Sequence, residues 1–364
     1  VTPAATLEID LAAIAENWRT LSVRHRSGPV AGVVKADAYG LGAAHVVPAL
    51  HAAGCRHFFV AKPDEALAIR ALVPDAMLAV LNGLVPGDEA DFAAHGIVPV
   101  LGSLGEADRW AAAAARLDRR LPALLHVDTG MNRLGLDTAE LAILQQDHAR
   151  LAGIDLRYIM THLVSAELPN DPINAAQRER FARACTGLPA APRSFANSSG
   201  LFLGEEFASD LARPGAALYG VNPTPGHDNQ MRPTVLLRAR VLQVREIAPG
   251  EGVGYNATWQ AERPSRIATA AVGYADGWPR ALSGRGHAAF DGAPVPLVGR
   301  VSMDLTTYDV TDHPAIRPGS WLELIGPHVP VDLVATEAGT NGYEILTSLG
   351  ARYARTYRDA ASAS

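Results

Sequence analysis

The feature that most constrains this chain is an alternation in its first 200 residues, where short apolar runs are separated by Ala-rich stretches of helical pattern. The runs are Val30–Val34, Phe58–Ala61, Met77–Leu81, Ile97–Leu101, Ala123–Val127, Leu156–Met160 and Arg193–Phe195. Between several of them the pattern predicts helices, at Ala43–Ala53, Asp64–Ala71, Glu106–Leu117 and Asn174–Ala184. An apolar run of four or five residues suits a strand buried on both faces, which is the situation in a parallel sheet covered by helices. Repeated strand–helix units of this kind predict an α/β barrel or an open parallel sheet. No GxGxxG opens the first unit, which argues against a dinucleotide-binding fold.

At the N-terminal end, residues 7–9 read as a short strand. Asp10 is placed to cap a helix that carries Leu11, Ile14, Trp18 and Leu21 at spacings of three and four. The pattern changes after Asn222–Pro233, a segment rich in Pro, Gly and Asn. Beyond it the runs are of strand type: Val235–Glu246, Arg266–Val272, His287–Phe290, Val295–Val298, Leu305–Val310 and Trp321–Leu324. Turn pairs punctuate them at Pro249-Gly250, Asp291-Gly292 and Pro318-Gly319. A helical segment near Asp332–Thr340 or Tyr343–Leu349 is expected to close the chain. The expected division is an α/β domain over 8–225, which the resemblance described below makes a barrel, and a mostly-β domain over 226–364, with residues 1–7 pairing with the second domain.

A chain of 364 residues, 48% hydrophobic and 19% charged, has core enough for two such units. The formal net charge of -6 and the lack of a basic face argue against nucleic acid as a partner. Cys55 and Cys185 have neither metal-ligand nor redox spacing and read as buried free thiols. No apolar run approaches the roughly 20 residues of a membrane span. The opening VTPAATLEIDL does not have the pattern of a signal peptide, so a cytoplasmic location is expected.

Lys35 ends the apolar run GPVAGVVK. In a parallel barrel the carboxyl ends of the strands form the catalytic face. A partly desolvated lysine there loses some preference for its charged form, and its amine becomes nucleophilic. By position alone it could equally snorkel to solvent. The segment VVKADAYGLG (33–42) resembles the pyridoxal 5′-phosphate (PLP) attachment motif of alanine racemases, in which the lysine binds the cofactor covalently. The resemblance continues in order through HVDTGMNRLG (126–135), MTHLVSAE (160–167), FANSSG (195–200) and RPGAALYG (213–220). VGYNATW, GYADGWPR, GRVSMDL and NGYEIL follow in the second half.

This resemblance implies a (β/α)8 barrel that binds PLP, a C-terminal mostly-β domain, and a homodimer whose active sites are shared between subunits. It implies interconversion of L- and D-alanine through an external aldimine, with two bases on opposite faces of the substrate. Lys35 would serve the D-enantiomer, and Tyr255 of the other subunit the L-enantiomer. A free tyrosine titrates near pH 10, so such a base needs help, and the resemblance places His162 and Arg213 close enough to bias its proton. Arg213 would face the ring nitrogen of the cofactor. Because an arginine cannot accept that proton, the ring stays neutral and transamination is disfavoured. Ser198, the amides of Gly215 and Ala216, and the hydroxyls of Tyr39 and Tyr343 would form the phosphate cup. Arg133 would pair with the substrate carboxylate, and Met303 would donate its amide to that carboxylate from the other subunit. Tyr274 resembles a residue that limits substrate size at the mouth of the channel. No metal is expected.

Three positions depart from the family pattern. His126 stands where many members carry a carbamylated lysine that orients the arginine, so the support of Arg133 must come from elsewhere. Ser194 replaces a histidine found in some members behind the ring-nitrogen arginine. Asn132 replaces a small residue or histidine. Three other functions fit these residues less well. A PLP-barrel decarboxylase needs a cysteine-bearing C-terminal motif, whereas both cysteines here lie within the first 190 residues. A non-catalytic PLP-binding barrel has no β domain. A metal site on His126, Asp128 and His162 lacks the usual His-x-His pair.

Overall fold

A computed structural model describes residues 2–359. The first half is a parallel sheet of seven strands in sequential order: β2 (Gly32–Val33), β3 (His57–Val60), β4 (Met77–Val80), β5 (Ile97–Leu101), β6 (Leu121–His126), β7 (Ile154–Met160) and β8 (Arg193–Ser194). The eighth position is filled by a two-residue stub. Leu211 bridges Ser194 on one side and Ala212 bridges Val30 on the other, both in parallel, and these contacts close the barrel. Helices join the strands, among them Ala43–Ala53, Pro63–Arg70, Leu104–Arg116 and Pro172–Thr186. The helix Glu89–His95 is an addition to those read from the sequence.

The barrel interior is packed with side chains. Ala31, Val33, Phe59, Ala79, Val98, Val100, Leu124, Met160 and Leu211 form one buried cluster inside it. With the interior filled, chemistry is confined to the rim. The outward faces of the strands pack against the helices in a larger core that continues into the second half. Helix starts follow local chemistry. The Asp10 carboxylate accepts from the Ala13 amide at 2.8 Å and opens Leu11–Arg24, and Ser103, Asp137 and Asp171 cap their helices in the same way.

The second half is built on an eight-stranded sheet around β9 (Val235–Ile247). This strand pairs with β1 (Ala5–Asp10), β12 (Ser265–Ala270) and β16 (Trp321–Ile325). β16 leads on to β13 (His287–Phe290) and β14 (Ala293–Pro296), and β12 to β15 (Thr306–Asp309). A separate hairpin joins β10 (Gly252–Val253) to β11 (Trp259–Gln260). Helices form at both C-terminal segments considered, Val331–Ala338 and Gly342–Ser348. Neither ends the described chain. It runs on into β17 (Ala354–Arg358), which pairs in parallel with β1. This strand corrects the expectation of a helical close. It alternates only weakly and exists because β1 offers an open edge.

Candidate active site

β2 delivers Lys35 to the carboxyl end of the barrel, and the chain then does something unusual for L-residues. Ala36, Asp37, Ala38 and Tyr39 all have φ between 53° and 56°, one left-handed turn without a glycine. Each L-residue in this conformation costs roughly 1–2 kcal/mol, so the turn must be held from outside. Glu65 accepts the Ala36 amide at 2.6 Å, and the Asp37 carboxylate accepts the Ala43 amide at 2.7 Å. Arg355 of β17 donates to the Gly40 carbonyl at 2.7 Å, and also to the carbonyls of Leu349 and Gly350. Gly40 itself cannot carry a side chain, because a Cβ there would lie 2.6 Å from the Leu346 carbonyl oxygen.

The Lys35 side chain is half-buried. Burial lowers its pKa, Arg133 lowers it further, and Glu65 opposes both. Arg133 comes from the loop after β6. Asp128 shapes that loop by accepting from the amides of Gly130 and Met131 at 2.9 Å and of Asn132 at 3.0 Å. These bonds fix the backbone that leads to Arg133, and they do not reach its guanidinium. His126 is buried below it, and desolvation, together with Arg213, holds its pKa down at about 4. It is therefore neutral at pH 7 and adds no positive charge below the loop.

His162 follows β7. Burial first, and then Arg213 and Arg133, push it down to about 3. Its carbonyl accepts from Gln177, a fully buried residue that also bonds Thr129 at 2.9 Å. Arg213 is buried, and desolvation lowers its pKa to about 10, which leaves it charged at neutral pH. Its partners are uncharged: the Ser194 hydroxyl, and the Thr161 carbonyl at 2.6 Å. Ser194 thus reaches Arg213 directly. A buried guanidinium without a carboxylate is held short of its full complement of acceptors.

Beside these cations, the Ser198 hydroxyl accepts from the amides of Gly215 at 3.0 Å and Ala217 at 3.2 Å. Gly215 is required by close approach, since a Cβ there would lie 2.2 Å from the Tyr39 hydroxyl. The Tyr39 ring stacks on Tyr219 at 4.7 Å, and burial and Tyr343 both raise its pKa. Burial and Glu167 raise the pKa of Tyr343, and its helix packs against the turn after Lys35, where the Leu346 carbonyl meets Gly40. Lys35, Arg133, His162, Arg213, Ser198, Gly215, Ala216, Tyr39 and Tyr343 are therefore brought to one rim. Hydroxyls, amides and cations surrounding a close-approach glycine form a donor set suited to an anionic ligand with an aromatic body.

Tyr255, Tyr274 and Met303 are not part of that cluster in one chain. They lie exposed on the second half, Tyr255 at 69% of its surface and Met303 at 53%. Two backbone bonds, from Tyr274 to Ser302 at 3.0 Å and from Ala275 to Met303 at 2.9 Å, lock the turns of Tyr274 and Met303 together. No cluster of three or more His, Cys, Asp or Glu able to hold a metal occurs among the described residues. Both cysteines are free and buried, and no described helix is long and apolar enough to cross a membrane. The sequence reading missed Glu65 and Arg355. Glu65 was legible only as a residue of the first turn of its helix, and Arg355 carried no signal, because its strand was not foreseen.

The family models for the alanine racemase N-terminal and C-terminal domains match residues 9–223 and 234–357. The alanine racemase of Acidiphilium cryptum is 60% identical over 353 residues, 97% of this chain and 98% of that protein. That of Rhodospirillum rubrum is 53% identical, over 97% of this chain and 96% of that protein. The crystal structure of alanine racemase from Bartonella henselae with covalently bound pyridoxal phosphate superposes with a TM-score of 0.95 at 43% identity, covering 98% of this chain and all of that one. The biosynthetic alanine racemase of Pseudomonas aeruginosa superposes with a TM-score of 0.93 at 35% identity and the same coverage.

Proposed function

The chain belongs to the alanine racemase family, and from that premise we propose that it interconverts L- and D-alanine at the cation-rich barrel rim, with PLP on Lys35 and with residues of a second subunit completing the site. The observation that carries this reading is Arg213, a buried guanidinium whose hydrogen-bond partners among the described residues are a hydroxyl and a carbonyl, on the same rim as a lysine that a left-handed turn follows. An acceptor nitrogen of a neutral aromatic ring suits such a guanidinium, whereas a protonated one would repel it.

When bound, the cofactor supplies an aldehyde that condenses with an amine and a conjugated ring that takes up the electron pair left at the α-carbon. Ser198, the amides of Gly215 and Ala216, Tyr39 and Tyr343 would hold its phosphate, and Arg213 its ring nitrogen. Arg133 would bind the substrate carboxylate, helped by the Met303 amide of the partner subunit. The Lys35 amine, shifted toward its neutral form by burial and by Arg133, accepts the α-proton of D-alanine at Nζ and returns one there in the opposite direction. The Tyr255 phenol of the partner subunit performs the same exchange at Oη from the opposite face. His162 is neutral at pH 7 and can accept or relay a hydrogen bond without adding charge. Tyr274 of the partner subunit limits the size of substrate that reaches Lys35.

The exposure of Tyr255, Tyr274 and Met303 supports a second subunit as their destination. The test is to incubate the purified chain with PLP and L-alanine in deuterated solvent. Racemisation with uptake of α-deuterium, together with a visible absorption band lost on borohydride treatment or on Lys35→Ala, is the expected result. A colourless protein that exchanges no α-hydrogen would overturn the assignment.

A further inference from the structure

The two oxygens of the Glu65 carboxylate do different work. Oε2 accepts from the amides of Ala61 at 2.7 Å and Lys62 at 3.1 Å, and so caps the helix Pro63–Arg70. Oε1 leaves its own helix and accepts the Ala36 amide at 2.6 Å, next to Lys35. Capping does not require this second bond. It sets the carboxylate against the backbone of the turn that follows the lysine on which the proposed chemistry turns.

Other groups face Lys35 from the packed elements. Arg133 approaches from the loop after β6, and His162, neutral at pH 7, from the end of β7. On its own turn, Asp37 is engaged with the Ala43 amide, and the Tyr39 hydroxyl lies at Gly215. Glu65 is therefore the carboxylate whose charge acts on the amine, opposing Arg133.

We propose that Glu65 is a positioning residue for Lys35: it pins the left-handed turn through the Ala36 amide and supplies the neighbouring negative charge that steadies the protonated amine. This rests on Lys35 being the base proposed above. A base that must both take and return a proton works best when neither form is too strongly favoured. Burial and Arg133 favour the neutral form, and Glu65 restores part of the balance.

Two readouts test this in the wild type, Glu65→Gln, Glu65→Ala and Glu65→Asp. The first is the pH midpoint for acetylation of Lys35 in the full-length, cofactor-free chain, followed by mass spectrometry. The second is the acid limb of kcat for the D-to-L direction in the holoenzyme. Loss of the charge in Glu65→Gln and Glu65→Ala should move both to lower pH, while Glu65→Asp should keep both close to wild type. If both charge-less variants lose rate equally at every pH with an unchanged labelling midpoint, Glu65 only caps its helix and the proposal fails. A wild-type chain that cannot racemise alanine would remove the reading of the site, yet the labelling midpoint would still decide whether Glu65 acts on Lys35.

Discussion

The left-handed turn that follows Lys35 makes a sharp thermodynamic prediction, because glycine relieves strain there and costs stability in an ordinary helix. Ala36 is exposed at φ 53°, ψ 49°. Replacing it with glycine should recover roughly 1–2 kcal/mol of conformational strain. The greater freedom of glycine in the unfolded chain takes back about 0.4–1 kcal/mol, which leaves a net stabilisation of about 0.5–1 kcal/mol. Ala112, exposed in the right-handed helix Leu104–Arg116, is the control. Ala112→Gly should cost about 1 kcal/mol. Ala38 shares the left-handed conformation but is fully buried. Its methyl is worth about 0.8 kcal/mol, so Ala38→Gly should come out near neutral. For 364 residues at about 2.1 cal/mol/K each, 1 kcal/mol corresponds to about 1.3 °C in Tm. Ala36→Gly and Ala112→Gly should therefore differ by about 2–3 °C, with opposite signs relative to wild type. The assay is thermal unfolding of cofactor-free protein at one fixed protein concentration, because ligand and subunit binding both raise Tm by mass action. If Ala36→Gly falls as far as Ala112→Gly, the turn stores no strain and the reasoning about what holds it is wrong.

Four further outcomes are expected. Tyr255→Phe should cripple turnover of L-alanine while leaving cofactor binding intact, and unchanged rates in both directions would reject the phenol as a base. Equal mixtures of Lys35→Ala and Tyr255→Phe subunits, allowed to reassort, should recover about a quarter of wild-type activity, because half the dimers are mixed and each holds one intact site; no recovery would mean that the site is not shared. Arg355→Ala leaves three carbonyls without their guanidinium, which at a half-exposed position should weaken PLP affinity by about 1–2 kcal/mol, or roughly 5–30-fold, in a fluorescence titration. His126 and His162 stay unprotonated in the native chain down to about 4 and about 3, whereas the unfolded chain takes up these protons near pH 6.5. Cofactor-free protein should thus lose stability as pH falls below 6.5, by about 1.4 kcal/mol per pH unit for each histidine. His126→Asn should remove one histidine's share of that slope in urea unfolding between pH 6.5 and 5.

The legible part of this protein was local. The apolar runs of the first half fell within a few residues of the observed strands, because parallel strands buried on both faces carry their signal in consecutive residues. Helix starts were legible where a capping side chain announced them, as at Asp10. The attachment lysine and most of its companions were legible through a resemblance of motifs rather than through periodicity. By position alone Lys35 could as well have been solvated. β17 was not legible, since a short alternating segment becomes a strand only when an edge such as β1 lies open beside it.

What sequence alone determined was the alternation that dictates parallel strands joined by helices, the change to strands after Pro233, and the chemical types arrayed at strand ends. Tertiary structure alone decided how those types are used. It turned four L-residues left-handed after Lys35, and Glu65 and Arg355 hold this conformation by bonds from elsewhere in the chain. It buried Arg213 against neutral partners, and it left Tyr255, Tyr274 and Met303 facing outward. The physical reason is the same in each case. Hydrogen bonds and charges between residues dozens or hundreds apart in the chain leave no periodic trace, so they come into being only when the fold brings their partners together.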